Sequence, residues 1–149
     1  PAETFFRPSR TTAWASTDEP LQHMLSDPRR LVRRTQDTMF VRLVDVPRAL
    51  AARRYAAEGS IVIEVRDSFC PWNSGRYRLE GGPAGAACAP TDAPAEITLD
   101  AETLGATYLG GTRFRSFARA GRVSGDPAAL ARADAMFTWD PAPWIPEIF

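Results

Sequence analysis

Two short alternating runs with a turn between them constrain this chain most. Ser60–Arg66 sends Ile61, Ile63 and Val65 to one face and Glu64 and Arg66 to the other, the period of a half-buried strand. Pro71-Trp72-Asn73-Ser74-Gly75 is turn chemistry, and Arg76–Glu80 alternates again with Tyr77 and Leu79 inward. The two runs predict an antiparallel hairpin.

Aspartates and prolines punctuate the rest. Residues 1–20 read as an extended lead-in, with Thr11–Trp14 a candidate short strand. Pro20 opens a short helix carrying Leu21, Met24 and Leu25, and Asp27-Pro28 opens another. Thr38–Val44 alternates and is predicted as a strand. Asp45, with Pro47 in the first turn, predicts a helix to about Ala57 that faces Val46, Leu50 and Ala57 inward and stops at Gly59. Residues 81–95 read as a loop with room for a short strand near Cys88, and Glu96–Leu99 as a further strand. Asp100 caps a helix bearing Leu104 and Tyr108, ended by Gly110-Gly111. Thr112 caps the next, bearing Phe114, Phe117 and Ala118 and stopped by Gly121. Asp126-Pro127 opens a last helix with Leu130, Ala133 and Phe137. This order predicts an α+β domain, a mostly antiparallel sheet with helices packed on it.

Composition removes several function classes. The 18 basic and 18 acidic residues cancel, which argues against the basic excess a nucleic-acid binder needs. Every basic residue is arginine, so lysine Schiff-base chemistry is excluded. No apolar run reaches the roughly 20 residues that span a bilayer, so no membrane partner is expected. Pro1–Arg10 lacks a signal-peptide core, and a start at Pro1 reads as a processed or excised chain. Cys70 and Cys88 are the only thiols; without a secretory signal a reduced, cytoplasmic state outweighs a disulfide.

Familiar catalytic motifs are missing. Gly81-Gly82-Pro83-Ala84-Gly85 lacks the Lys-Ser/Thr end of a phosphate loop, and Gly105–Gly111 is too sparse for a dinucleotide fingerprint. His23 is the only histidine and no Gly-x-Ser-x-Gly occurs, so a triad has no frame. One histidine and two scattered cysteines do not make a zinc site, and no metal is expected. Asp67-Ser68-Phe69-Cys70-Pro71-Trp72-Asn73 is dense in reactive and aromatic groups. A thiol-nucleophile loop is one reading; a structured hairpin loop with Trp72 over the core is preferred, because nothing nearby activates the thiol. The C-terminus is unusual: Trp139, Pro141, Pro143, Trp144, Ile145, Pro146, Ile148 and Phe149 form an apolar, stiffened end, where chain ends are normally polar. Such an end is built to dock in a groove, on this domain or on a neighbour.

Together these stretches resemble the C-terminal region of the enhanced intracellular survival (Eis) acetyltransferases of actinobacteria. The resemblance rests on Asp18-Glu19-Pro20-Leu21 with Leu25-Ser26-Asp27-Pro28-Arg29, and on Val41-Arg42-Leu43-Val44-Asp45-Val46-Pro47 running into Ala49–Arg53. It continues through Cys70-Pro71-Trp72-Asn73, Thr91-Asp92-Ala93, Leu104–Gly111, Ala120-Gly121-Arg122-Val123 and the terminal Phe149. It spans residues 11–149. The resemblance implies a parent with two GNAT domains ahead of a sterol carrier protein-like domain. Residues 1–37 would be lead-in and linker, and residues 38–149 that last domain. The parent would acetylate amines, aminoglycosides among them in some members, with acetyl-CoA as cosubstrate, and would assemble as a hexamer. Its GNAT phosphate loop and tyrosine general acid are not in this chain, so the fragment alone is expected to be inactive and to hold no cofactor. By position, the terminal carboxylate that acts as general base maps to Phe149. The acidic residue near the end, expected at the cationic substrate, maps to Glu147, with Ile148 between the two. A lipid- or sterol-binding carrier module is the alternative from another class. It would need an apolar tunnel of several hundred Å³, and fatty-acid uptake would mark it.

Overall fold

In the computed structural model, which describes residues 14–37 and 39–146, aspartates start the helices as their positions predict. Asp45 accepts from Arg48 N ahead of α2 (Val46–Ala52), Asp100 from Thr103 N ahead of α3 (Ala101–Tyr108), and Asp126 from Ala128 N and Ala129 N ahead of α5 (Pro127–Phe137). The short α1 (Leu21–Met24) follows Pro20, and Asp27 caps a single 3₁₀ turn at Pro28–Arg30. Gly121 ends α4 (Phe114–Arg119) with a φ of +74°.

The predicted hairpin is present. β1 (Gly59–Arg66) pairs antiparallel with β2 (Gly75–Gly82), Ile63 opposite Tyr77 and Ile61 opposite Leu79. The glycine- and alanine-rich stretch, predicted as a loop with room for a short strand near Cys88, supplies that strand, β3 (Gly85–Pro90), antiparallel to β2. β4 (Ile97–Asp100) lies parallel to β1, and β5 (Ser124–Gly125) antiparallel to β4. Among the described residues these form one five-stranded sheet in the order β3-β2-β1-β4-β5. The fold is therefore α+β and mostly antiparallel, with one parallel pair.

The core lies between the sheet and its helices. Tyr55, Phe114 and Phe137 are fully buried and meet edge to face, Phe137 at 5.0 Å from Tyr55 and 4.9 Å from Phe114. Leu50, Ile61, Ile63, Leu79, Ile97, Leu104 and Met136 complete it.

Four local expectations are corrected. Residues 39–44 join no strand; Thr38 and residues 11–13 lie outside the described residues. Side chains, not a neighbouring strand, take the backbone groups: Asn73 Nδ2 donates to Leu43 O at 3.0 Å and Trp72 Nε1 to Val44 O at 2.8 Å. Helix α2 ends at Ala52 rather than Ala57, because Tyr55 turns into the core and its N–H goes to Gly82 O at 3.1 Å. Gly59 accordingly begins β1 and stops no helix. The cap before α4 is not Thr112: Asp134, reaching from α5, accepts from Phe114 N at 2.6 Å. Trp72 does not cover the core; it is 70% exposed. Among the described residues no helix is long and apolar enough to cross a membrane.

Candidate functional site

The root of the C-terminal tail is built on Arg53. Arg53, just past α2, lays its half-buried guanidinium over the rings of Tyr55 at 4.5 Å, Phe137 at 4.7 Å and Tyr108 at 5.5 Å. It donates to Phe137 O at 3.1 Å and to Tyr108 O. These are the last carbonyls of α5 and α3, the negative ends of both helices. Burial lowers the Arg53 pKa, yet a guanidinium stays charged at any ordinary pH. One cation thus ties together the two helix ends from which the tail departs.

The tail is held on its way out. Trp139 N–H donates to Gly110 O at 3.3 Å. Gly110 has a φ of +87°, and a Cβ there would stand 2.3 Å from Phe137 O, so only glycine fits. After the cis Asp140-Pro141 bond, the lead-in grips Ala142. Asp18 Oδ2 accepts from Ala142 N at 2.6 Å, and Ser16 Oγ donates to Ala142 O at 3.3 Å. The Ala142 bond, and then that from the Ser16 hydroxyl, hold the Asp18 carboxyl below its ordinary pKa. Trp139 and Trp144 remain 44% and 50% exposed, so the tail is anchored through its backbone while its indoles stay uncovered. Glu147 and Phe149 lie outside the described residues.

A second cluster organises the loop after β1. Asp67 is buried and accepts from Phe69 N at 3.1 Å, Cys70 N at 2.8 Å and Asn73 Nδ2 at 3.2 Å, and pairs with Arg42. Burial pushes its carboxyl up, but these bonds and the Arg42 charge outweigh burial and hold it below the usual value. Asn73 also accepts from Val46 N at 3.1 Å, so the loop pins the start of α2. Beside this polar knot Val44, Phe69 and Trp72 are exposed: Trp72 Nε1 reaches Val44 O, and Arg42 lies over the Phe69 ring at 4.9 Å.

The remaining candidates are dispersed. His23 is exposed on α1. Cys70 and Cys88 are both free; Cys70 is 4% exposed, and burial pushes the Cys88 thiol up to about 11, which keeps it protonated and a poor nucleophile. Gly81–Gly85 closes the β2–β3 hairpin around Pro83 and Ala84, with no helix after it to face a phosphate. Arg113, Arg115 and Arg119 line an open cleft on α4, and Arg115 is already paired with Asp134 at 2.6 Å. Among the described residues no three His, Cys, Asp or Glu side chains converge as a metal site. Sequence reading missed Arg53 and Asp18. Both look like ordinary surface charges in one dimension, and only the meeting of distant segments marks them.

Comparison with known proteins places this geometry. Residues 46–146 match the family model of the sterol carrier protein domain. An uncharacterised N-acetyltransferase of Streptomyces coelicolor is 50% identical over 133 residues, covering 89% of this chain and 32% of that protein. The N-acetyltransferase Eis of Mycobacterium tuberculosis is 44% identical over 128 residues, 82% of this chain and 30% of that protein. The crystal structure of Eis1 from Mycobacterium abscessus superposes with a TM-score of 0.76 at 37% identity, over 89% of this chain and 34% of the other. The chain thus spans about a third of the length of the relatives it matches.

Proposed function

The chain belongs to the sterol carrier protein domain family, and from that premise we propose that it is the C-terminal domain of an acetyl-CoA-dependent amine N-acetyltransferase. The observation that carries the reading is the 50% identity to a protein named as an N-acetyltransferase, over nearly the whole of this chain and a third of that protein. Residues 1–37 are then the lead-in and linker, and residues 38–149 the domain. GNAT domains elsewhere in the parent hold acetyl-CoA, and the parent assembles with further copies of itself, a hexamer. The exposed apolar side chains Val44, Phe69 and Trp72 at this loop support such a setting, as surface suited to cover by the rest of the assembly.

The chemistry assigned to this chain is proton removal. An amine is mostly protonated at neutral pH and must lose a proton before it attacks a thioester, so a base is needed within hydrogen-bond or one-water reach. A free α-carboxylate has a pKa of roughly 3.3–3.7 in water; apolar neighbours raise it and still draw in a cation. Phe149 carries that carboxylate, next to Ile148 and Pro146, and Glu147 is assigned to the cationic acceptor. The anchored tail root supports the role, because a base must be placed reproducibly. A carrier role draws no such support. Aliphatic side chains and the rings of Tyr55, Tyr77, Phe114 and Phe137 pack the core, and the clefts at Arg113, Arg115 and Arg119 and at Arg53, Tyr108 and Trp139 are open.

One glycine added after Phe149 in the parent moves the carboxylate by about 3.3–3.6 Å. Turnover should fall on the order of a hundredfold with folding intact, while Phe149→Leu keeps most of the rate. Unchanged turnover in the extended protein shows that the carboxylate is not the base.

A further inference from the structure

Ala142 is the point at which the lead-in reaches the tail, across a separation of 124 residues. Both of its backbone polar groups go to lead-in side chains, the N–H to Asp18 and the carbonyl to Ser16. The lead-in is itself shaped for this. Glu19 N–H donates to Ser16 O at 3.2 Å, closing a turn that presents Asp18. Arg33 braces the turn, donating to Thr17 O and, at 2.8 Å, to Gln22 Oε1. The single Ser16 hydroxyl proton is shared between Ala142 O and the Asp18 carboxylate, so Ser16 also holds the gripping carboxylate in place.

Little stability follows from this grip, because Asp18 is exposed and water can satisfy the same groups. Its consequence is positional. Of the residues after Ala142, Pro143 and Pro146 have φ locked near −65°. A grip at Ala142 limits the range of the residues that follow it, and the two prolines narrow that range further.

We propose that Asp18, supported by Ser16, is a positioning residue that latches the C-terminal tail to the lead-in, so that the lead-in sets where the chain's last atoms lie. The proposal rests on the reading that Phe149 carries the base. It deepens that reading by tying the base's location to the segment that also links this domain to the rest of its parent.

The test has a structural and a kinetic arm. In this 149-residue chain, amide hydrogen exchange across residues 139–146 and the rate at which carboxypeptidase releases Phe149 read the tail directly. Asp18→Ala should speed both with the urea midpoint unchanged, while Asp18→Asn, which keeps an acceptor oxygen, should stay near wild type. In the full-length parent, Asp18→Ala should lower kcat by about tenfold, a sub-ångström to ångström misplacement of a reacting group. KM for acetyl-CoA should not move, and Asp18→Asn should restore most of kcat. Unchanged exchange and unchanged Phe149 release in Asp18→Ala overturn the latch. A freed tail with full kcat overturns its positioning role, provided that the glycine extension abolishes turnover. A freed tail in a parent indifferent to the glycine extension supports the latch as an anchor and refutes only the base.

Discussion

Gly105 tests the packing that places the 39–44 segment. It sits in α3, where alanine is the better helix former by about 0.8–1.0 kcal/mol. By propensity alone Gly105→Ala stabilises. In the structure an added Cβ would lie 2.1 Å from Val41 O and 3.2 Å from Val41 C. That backbone cannot yield cheaply. Leu43 O, two residues on, is held by Asn73, and Arg42 by Asp67. Relieving the contact takes a displacement of more than 1 Å, and overpacking of this kind costs about 1–3 kcal/mol. Disturbing the Asn73 bond adds about 1 kcal/mol. The clash outweighs the propensity gain, and the net expectation is a loss of about 1–3 kcal/mol, or roughly 4–10 °C in Tm for a domain of this size. Urea unfolding followed by far-UV circular dichroism measures it, with an unchanged m-value as the check on two-state behaviour. Ala106→Gly on the exposed face of α3 is the control, expected to cost about 1 kcal/mol from propensity alone. A Gly105→Ala protein as stable as wild type, or more so, would refute the seating of Val41 on α3.

Two further outcomes follow from buried carboxylates. Asp134→Ala strands the Phe114 N–H, which should cost about 1–3 kcal/mol in urea unfolding, whereas Asp134→Asn keeps an acceptor and should cost less; the half-exposed Arg115 partner contributes little. Asp67 has a folded pKa below its unfolded value of about 3.9, so the stability it supplies is present above that pH and is lost as pH falls through the folded value. Urea midpoints between pH 5 and pH 2 should therefore fall less steeply in Asp67→Asn than in wild type, and parallel slopes would remove Asp67 from the acid transition.

Local patterns by themselves determined the β1–β2 hairpin and the helices opened by Asp45, Asp100 and Asp126. Each rests on interactions within a few residues: alternation across a pleat, an aspartate bonding to a nearby N–H, a proline already at helical φ. The resemblance carried by its short motifs likewise located the family, which residues 46–146 match. Tertiary structure alone decided matters where a distant group competes with a local preference. Residues 39–44 alternate like a strand, yet Asn73 and Trp72 take their carbonyls and α3 takes their face, so they never join the sheet. Residues 81–95 offer in one dimension only room for a short strand near Cys88, and its extent, Gly85–Pro90, is decided by the open edge of β2. Thr112 has the composition of a cap and loses the position to Asp134, because a buried carboxylate already faces the Phe114 N–H. The grip on the tail is the extreme case. Asp18 and Ala142 are far apart in sequence and individually unremarkable, and a hydrogen bond between them exists only once the fold has brought the two ends of the chain together.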